Sequence, residues 1–177
     1  EALNRLSAEG LVERIKQRGF FVAPLAVDDL EQLVSTRIWA ETKALSDSIH
    51  HSDDGWEDEL VLSFHRLARV SRNMTSAPDD EHADEWDFRH KEFHMQLISK
   101  CGSRWLLDFC SQMMDQAVRY RHVSMNISST LARREGAADE HKNILDAVLD
   151  QDVDGACELL KHHYIKTLKA LKPDHET

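Results

Sequence analysis

The residues in this sequence best suited to chemistry are histidines, of which the 177-residue chain has eleven. His90 and His94 are four positions apart in a segment where Trp86, Phe93 and Leu97 recur at helical spacing. Residues four apart lie on one face of an α-helix, one turn apart, so both imidazoles fall within this apolar stripe. Two imidazoles in that arrangement can bind one metal ion.

Two further histidines lie on apolar helical faces. His141 begins a stripe continued by Ile144 and Leu145, and His163 is in the middle of the stripe of the last helical pattern. An unpaired polar ring is costly in an apolar interior, and a metal ion would satisfy several rings at once. The spacing therefore predicts a metal site formed by His90, His94, His141 and His163.

An ordinary structural role for these histidines stays open. A single buried histidine is more often a core residue hydrogen-bonded to a carbonyl or a carboxylate. The HxxxH spacing is a weak motif by itself, and Lys91 follows His90, so the HExxH arrangement of metalloproteases is absent. The other seven histidines are predicted to lie on surfaces, at helix ends or in turns.

The apolar periodicity predicts an all-α fold. Six helices are expected, with short polar turns between them, so that consecutive helices pack antiparallel in a bundle. No apolar run approaches the roughly 18 residues that a membrane span needs. The expected helices are 27–51, 55–76, 83–100, 103–126, 130–149 and 152–171.

The segment before Pro24 has a different pattern. A short helix ending near Gly10 is followed by two short strand-like runs around a basic turn, which is typical of the end of a winged helix-turn-helix. The chain begins without methionine and within a helical pattern, so a fragment of a longer protein is expected. The predicted domains are 1–25, the C-terminal part of a DNA-binding domain, and 26–177, a helical domain.

Charge is divided unevenly along the chain. The net charge is −10, with +1 on residues 1–24 and −11 on the remainder. An acidic body repels phosphate, so DNA contacts are expected from the N-terminal segment and from what precedes it. Base contacts are expected from an upstream recognition helix, while Arg5, Lys16 and Arg18 would at most touch phosphates or the minor groove. The three cysteines have no CxxC spacing, which favours a reducing, cytoplasmic location over a disulfide framework.

Three stretches together carry a family resemblance: EALNRLSAEGLVER with RGFFV, KEFHMQLISKCGSRWL, and DEHKNILDAVLDQDVDGACELLKHH. They resemble the GntR family of transcription regulators, in the branch whose effector domain is called FCD. The resemblance covers essentially the whole chain. It implies a winged helix-turn-helix followed by a helical effector domain, and a homodimer that binds operator DNA.

The resemblance also implies a ligand set for a metal ion. The family has an aspartate and a histidine four apart, a histidine in an EH pair, and a histidine seven residues after a helix alanine. By position these are again His90, His94, His141 and His163. His90 stands where the family usually has aspartate, and an all-imidazole site suits Zn, Ni or Co better than Mn or Mg.

The family further places an arginine early in the first helix of its effector domain, which corresponds to Arg37 in LVSTRIWAE. Such an arginine can bind a carboxylate through two parallel hydrogen bonds. The alternative is a solvent-facing Arg37 paired with Glu41 at i+4. Arg119 and Arg121 are weaker candidates, in a stretch that resembles members sensing small dicarboxylates such as glutarate.

The predicted function is ligand-controlled DNA binding by a non-enzymatic regulator. A small carboxylate would bind at the metal and at Arg37 and change operator affinity. Two alternatives are a metal-dependent hydrolase and a regulator that senses the metal itself. Against the hydrolase, Glu92 and Glu140 each adjoin a histidine of the set, and adjacent helical residues point about 100° apart.

Overall fold

The computed structural model describes residues 1–8, 10–76, 80–124 and 129–171. In this part of the chain two strands and seven helices follow one another, and the last six helices confirm the predicted all-α architecture. The elements are α1 (Ala2–Ala8), β1 (Val12–Ile15), β2 (Gly19–Val22), α2 (Val27–His50), α3 (Asp54–Ser76), α4 (Asp80–Leu97), α5 (Arg104–Ser124), α6 (Ser129–Leu149) and α7 (Val153–Leu171).

The N-terminal unit is a short helix followed by a β-hairpin, as predicted. β1 and β2 pair antiparallel, with Val12 opposite Val22 and Ile15 opposite Gly19. The turn between them needs positive φ angles at Gln17 (66°) and Gly19 (96°), and glycine adopts such angles without steric cost. The hairpin is largely exposed.

The helical bundle is held by contacts of α3 with α4 and α6, and of α7 with α2 and α6. Short turns join α2 to α3 and α6 to α7, and of these two pairs α6 and α7 pack closely against each other. Large apolar side chains of all six helices, including Leu45, Leu60, Phe93 and Leu160, fill one core. None of the described helices is both long and apolar enough to cross a membrane.

The start of α3 is tied to the turn that follows α4. Asp53 accepts the backbone N–H of Trp56 through Oδ1 at 2.9 Å, which caps the helix, and accepts Lys100 Nζ through Oδ2 at 2.5 Å. The hydrogen bond from Lys100, followed by the one from the Trp56 amide, lowers the pKa of Asp53. The aspartate therefore contributes to stability in its ionised form.

Replacing Asp53 with asparagine tests this contribution. Asparagine retains a capping oxygen but carries no charge, so Asp53→Asn should be less stable than the wild type near neutral pH. The pKa of Asp53 is lower in the folded protein than in the unfolded chain, where it is about 3.9. The stability difference between the two proteins should therefore be fully present above about pH 3.9 and should vanish as the pH falls through the folded-state pKa. Urea unfolding over a pH series measures it. A stability difference that does not change with pH would contradict the role of the charge.

Candidate metal centre

Three helices bring the four predicted histidines together. α4 provides His90 and His94, α6 provides His141 and α7 provides His163, and the four residues are between 1% and 7% exposed. One possible ligand atom from each residue lies within 4.8 Å of those of the other three. The helical stripes thus converge as the sequence predicted, and the cluster can hold a metal ion.

The distances within the cluster suit a shared ion. The Nε2 atoms of His94 and His141 lie 3.2 Å apart. Two imidazole nitrogens on one tetrahedral zinc, each about 2.0–2.1 Å from the ion, are expected roughly 3.3 Å apart. The rings of His141 and His163 have centroids 4.6 Å apart, and those of His90 and His94 are 4.4 Å apart. The donor set therefore fits a divalent transition metal.

The protonation state of the rings also suits metal binding. Burial, followed by the neighbouring imidazoles, lowers the pKa of His90 and of His94 well below the ordinary histidine value. Both rings are then neutral near pH 7. Neutral imidazole is the form that binds metals.

Hydrogen bonds on the Nδ1 side orient two of the rings. His163 Nδ1 lies 2.8 Å from Glu140 Oε2, and His94 Nδ1 lies 3.0 Å from the Tyr164 hydroxyl. Metal-binding histidines characteristically donate their second ring N–H to such a partner. This leaves Nε2 of each ring as the possible metal ligand, and for His94 that atom lies 3.2 Å from His141 Nε2.

Sequence reasoning missed the role of Glu140. It correctly placed this residue away from the adjacent His141, but the carboxylate reaches His163 on α7, because α6 and α7 pack together. Lys166 Nζ also contacts Glu140, at 3.1 Å from Oε1. The other acidic neighbour, Glu92, pairs with Arg66 and Arg89. Each carboxylate is thus engaged by other side chains, which gives no support to the hydrolase alternative.

A cavity of about 40 Å³ lies beside the histidines. Trp86 forms part of its wall, stacks on His90 with 4.6 Å between ring centroids, and donates its indole N–H to Ser71 Oγ at 3.0 Å. The lining also includes His163, Tyr164, Thr167, Leu171 and two arginines, Arg37 and Arg121.

Arg37 lies in the core and lines the cavity. Its Nε donates to Glu41 Oε1 at 2.7 Å, and its guanidinium lies 4.3 Å from the centre of the Tyr164 ring. Burial by itself lowers the pKa of Arg37, but Glu41 and Tyr164 raise it above the ordinary value. The i+4 pair with Glu41 that the sequence allowed is present, although it is buried and not on the surface. The terminal nitrogens of Arg37 make no hydrogen bond to another residue in the described ranges.

Arg119 and Arg121, both on α5, have different surroundings. Arg121 lines the cavity and is bound by Asp87, with its Nη2 2.7 Å and its Nε 3.1 Å from Oδ1. Arg119 lies outside the cavity, where it donates to the backbone carbonyls of Ala23 at 2.8 Å and of Gly10 at 3.3 Å. Of the three arginines singled out for effector binding, the structure brings together Arg37 and Arg121.

The predicted DNA-contacting residues Arg5, Lys16 and Arg18 are exposed on α1 and on the hairpin turn. Three of the remaining histidines, His50, His51 and His162, are exposed and bind carbonyls of their own helices through Nδ1, as expected for local structural roles. The side chains of His82, His122 and His175 lie outside the described part of the chain.

The FCD domain family matches residues 31–166, which is most of the helical bundle. A protein named as an uncharacterized HTH-type transcriptional regulator, BphR of Paraburkholderia xenovorans, is 34% identical over 172 residues, 97% of this chain and 69% of its own length. The HTH-type transcriptional repressor GlaR of Escherichia coli is 30% identical over 173 residues, 97% of this chain and 77% of its own length.

Solved structures share the fold at lower identity. Escherichia coli McbR/YncC superposes with a TM-score of 0.79 at 14% identity, over 96% of this chain and 81% of that one. A GntR-family regulator from Pseudomonas syringae superposes with a TM-score of 0.64 at 22% identity, over 96% of this chain and 67% of that one. The relatives are named as regulators and not as enzymes. The domain match, the two relatives and the shared architecture establish that this chain belongs to the GntR family of transcription regulators, in the branch with an FCD domain.

Proposed function

We propose that this regulator binds a divalent metal ion through its four buried histidines and a small carboxylate in the adjacent cavity, and that the carboxylate controls operator binding. One observation carries the proposal: a four-imidazole cluster adjoins a cavity that is lined by the buried Arg37 and the partly buried Arg121. The histidines supply metal ligands, and the arginines supply positive charge for an anion.

The metal ligands would be His90, His94, His141 and His163. Four neutral imidazoles favour zinc, nickel or cobalt over the hard ions that prefer oxygen ligands. When bound, the ion supplies positive charge and, at coordination numbers above four, a position for an oxygen of the effector.

Arg37 is the proposed anchor for the effector. Its Nε is occupied by Glu41, which leaves its terminal nitrogens to bind a carboxylate on the cavity side. Arg121 provides a second guanidinium on the same cavity. A volume of about 40 Å³ exceeds the roughly 10–15 Å³ that one water needs on the same scale, yet it limits the ligand to a small acid. Short monocarboxylates and dicarboxylates fit these requirements.

The structure suggests a route from the cavity to the DNA-binding segment. On α5, Arg121 lines the cavity. Two residues before it, Arg119 donates hydrogen bonds to the backbone carbonyls of Gly10 and Ala23, at either end of the hairpin. A shift of α5 on effector binding would therefore move the N-terminal unit. In a homodimer that binds two operator half-sites, a modest change in the spacing of these units is enough to release DNA.

A regulator that senses the metal itself is the second candidate, and the number of imidazoles favours it. Four nitrogen ligands complete a tetrahedral zinc and leave no open position, whereas a six-coordinate ion such as nickel keeps two. In the metal-sensing case, chelation alone would change operator affinity and carboxylates would not. A mobility-shift assay of the full-length regulator with chelator, with metal, and with metal plus glutarate separates the two candidates.

Metal content tests the histidine cluster. The purified protein should contain close to one equivalent of transition metal per chain, and His94→Ala or His141→Ala should reduce this content sharply. His162→Ala is the matched control, because His162 is exposed and adjacent to His163. Elemental analysis after dialysis makes the measurement. Full metal content in both cluster variants would refute the assignment.

Arg37→Lys tests the effector anchor. Lysine keeps a positive charge beside Glu41 but cannot form two parallel bonds to a carboxylate, so binding of glutarate should weaken by at least about tenfold, or roughly 1.4 kcal/mol. Alanine is a poorer choice, since it leaves Glu41 buried without its partner at a cost of about 3–5 kcal/mol.

Arg119→Lys is the control for this experiment, because Arg119 lies outside the cavity. Calorimetry on the metal-loaded protein should give wild-type affinity for the Arg119 variant and reduced affinity for the Arg37 variant. Equal affinity in the Arg37 variant and the wild type would remove Arg37 from the effector site.

A further inference from the structure

A buried chain of hydrogen bonds connects the arginine of the cavity to one histidine of the cluster. Arg37 Nε donates to Glu41 Oε1, the Tyr164 hydroxyl donates to Glu41 Oε2, and the same hydroxyl lies 3.0 Å from His94 Nδ1. All four residues are buried, and the side chain of Glu41 is about 1% exposed. Tyr164 also stacks on His94, with 5.6 Å between ring centroids.

The direction of each hydrogen bond follows from the donors available. Glu41 is an acceptor at both oxygens, because a guanidinium always donates and a carboxylate holds no hydrogen to give. A tyrosine hydroxyl, whose ordinary pKa is about 10, keeps its hydrogen near pH 7. A hydroxyl has a single hydrogen, and here it is directed to Glu41.

The tautomer of His94 is then determined. Since the Tyr164 hydroxyl uses its hydrogen on Glu41, it can only accept from His94 Nδ1, which must carry the ring proton. A neutral ring has one proton, so the lone pair is on Nε2. That atom faces Nε2 of His141 at 3.2 Å.

We propose that Glu41 and Tyr164 are positioning residues that hold His94 in its Nδ1–H tautomer and thereby present its Nε2 lone pair to the metal. This inference rests on the proposed metal site and assigns two residues beyond the histidines to it. The charge on Glu41 is essential to the argument, because only a group that accepts at both oxygens sets the direction of the whole chain.

Glu41→Gln is the most informative variant because it should reverse that direction. The glutamine oxygen must face the Arg37 donor, so its amide N–H faces the Tyr164 oxygen. The hydroxyl then donates to His94 Nδ1, and the ring proton moves to Nε2, where it blocks metal binding. Metal affinity should fall by about 10–100-fold or more, which is the usual range for loss of an outer hydrogen-bond partner.

Tyr164→Phe removes the hydroxyl and leaves His94 free to adopt either tautomer. Its metal affinity should fall by about 10-fold or more, and its ring should show a mixture of tautomers. Tyr120→Phe, the same chemical change at the other tyrosine of the chain, is the matched control. Tyr120 lies beside the N-terminal segment and not in the histidine cluster, so this variant should keep the wild-type affinity.

Three measurements separate positioning from a general effect on folding. Competition titration with zinc gives the affinity, and nitrogen-15 NMR of the histidine rings in metal-free protein gives the tautomer of His94. The proposal requires Nδ1–H in the wild type and Nε2–H in Glu41→Gln. Thermal unfolding of the metal-free variants shows whether a loss of affinity follows a loss of structure.

The results distinguish this proposal from the proposed function. If the wild type binds no metal, the metal site fails, yet the tautomer in Glu41→Gln still tests the hydrogen-bond chain. If the wild type binds metal, and both variants bind it within about twofold of wild type with an unchanged His94 tautomer, the positioning role is overturned. Reduced stability with unchanged zinc affinity would also overturn it, since that is what a purely structural tyrosine would show.

Discussion

The constraint on which this structure depends is the burial of four imidazoles in an apolar helical core. Each ring has two nitrogens that need partners, and a buried polar group without one costs about 1–3 kcal/mol. Tyr164 and Glu140 contact the Nδ1 atoms of His94 and His163, and one possible ligand atom of each ring lies within 4.8 Å of those of the other three. These contacts link α4, α6 and α7 at the cluster.

The second feature of the core is its buried charge. Arg37 with Glu41 and Arg121 with Asp87 form ion pairs of low exposure on the edge of the cavity. Removing such charges from water costs as much as the pairing returns, and apolar residues of similar volume would often serve stability as well. The two guanidinium groups at the cavity wall match the carboxylate binding proposed for this domain.

The N-terminal segment and the helical body differ in net charge. The helical body is strongly acidic, and residues 1–24 carry the small positive excess, with Lys16 and Arg18 exposed at the tip of the hairpin. Arg119 joins the two parts through backbone carbonyls, which any residues at positions 10 and 23 would provide. The connection thus depends on the position of the segment and not on its side chains, and it places α5 between the cavity and the N-terminal unit.

The sequence by itself determined the six helices of the bundle, to within three residues at the described boundaries, and the four histidines of the cluster, because both depend on the 3.6-residue period of a single helix. It did not distinguish Arg119 from Arg121, which are two residues apart and so point about 200° apart on α5. Nor did it pair Glu140 with His163 or Tyr164 with Glu41. These contacts join different helices. The rotation of one helix relative to another depends on how side chains interlock across the core, and residue spacing within a single helix does not predict it.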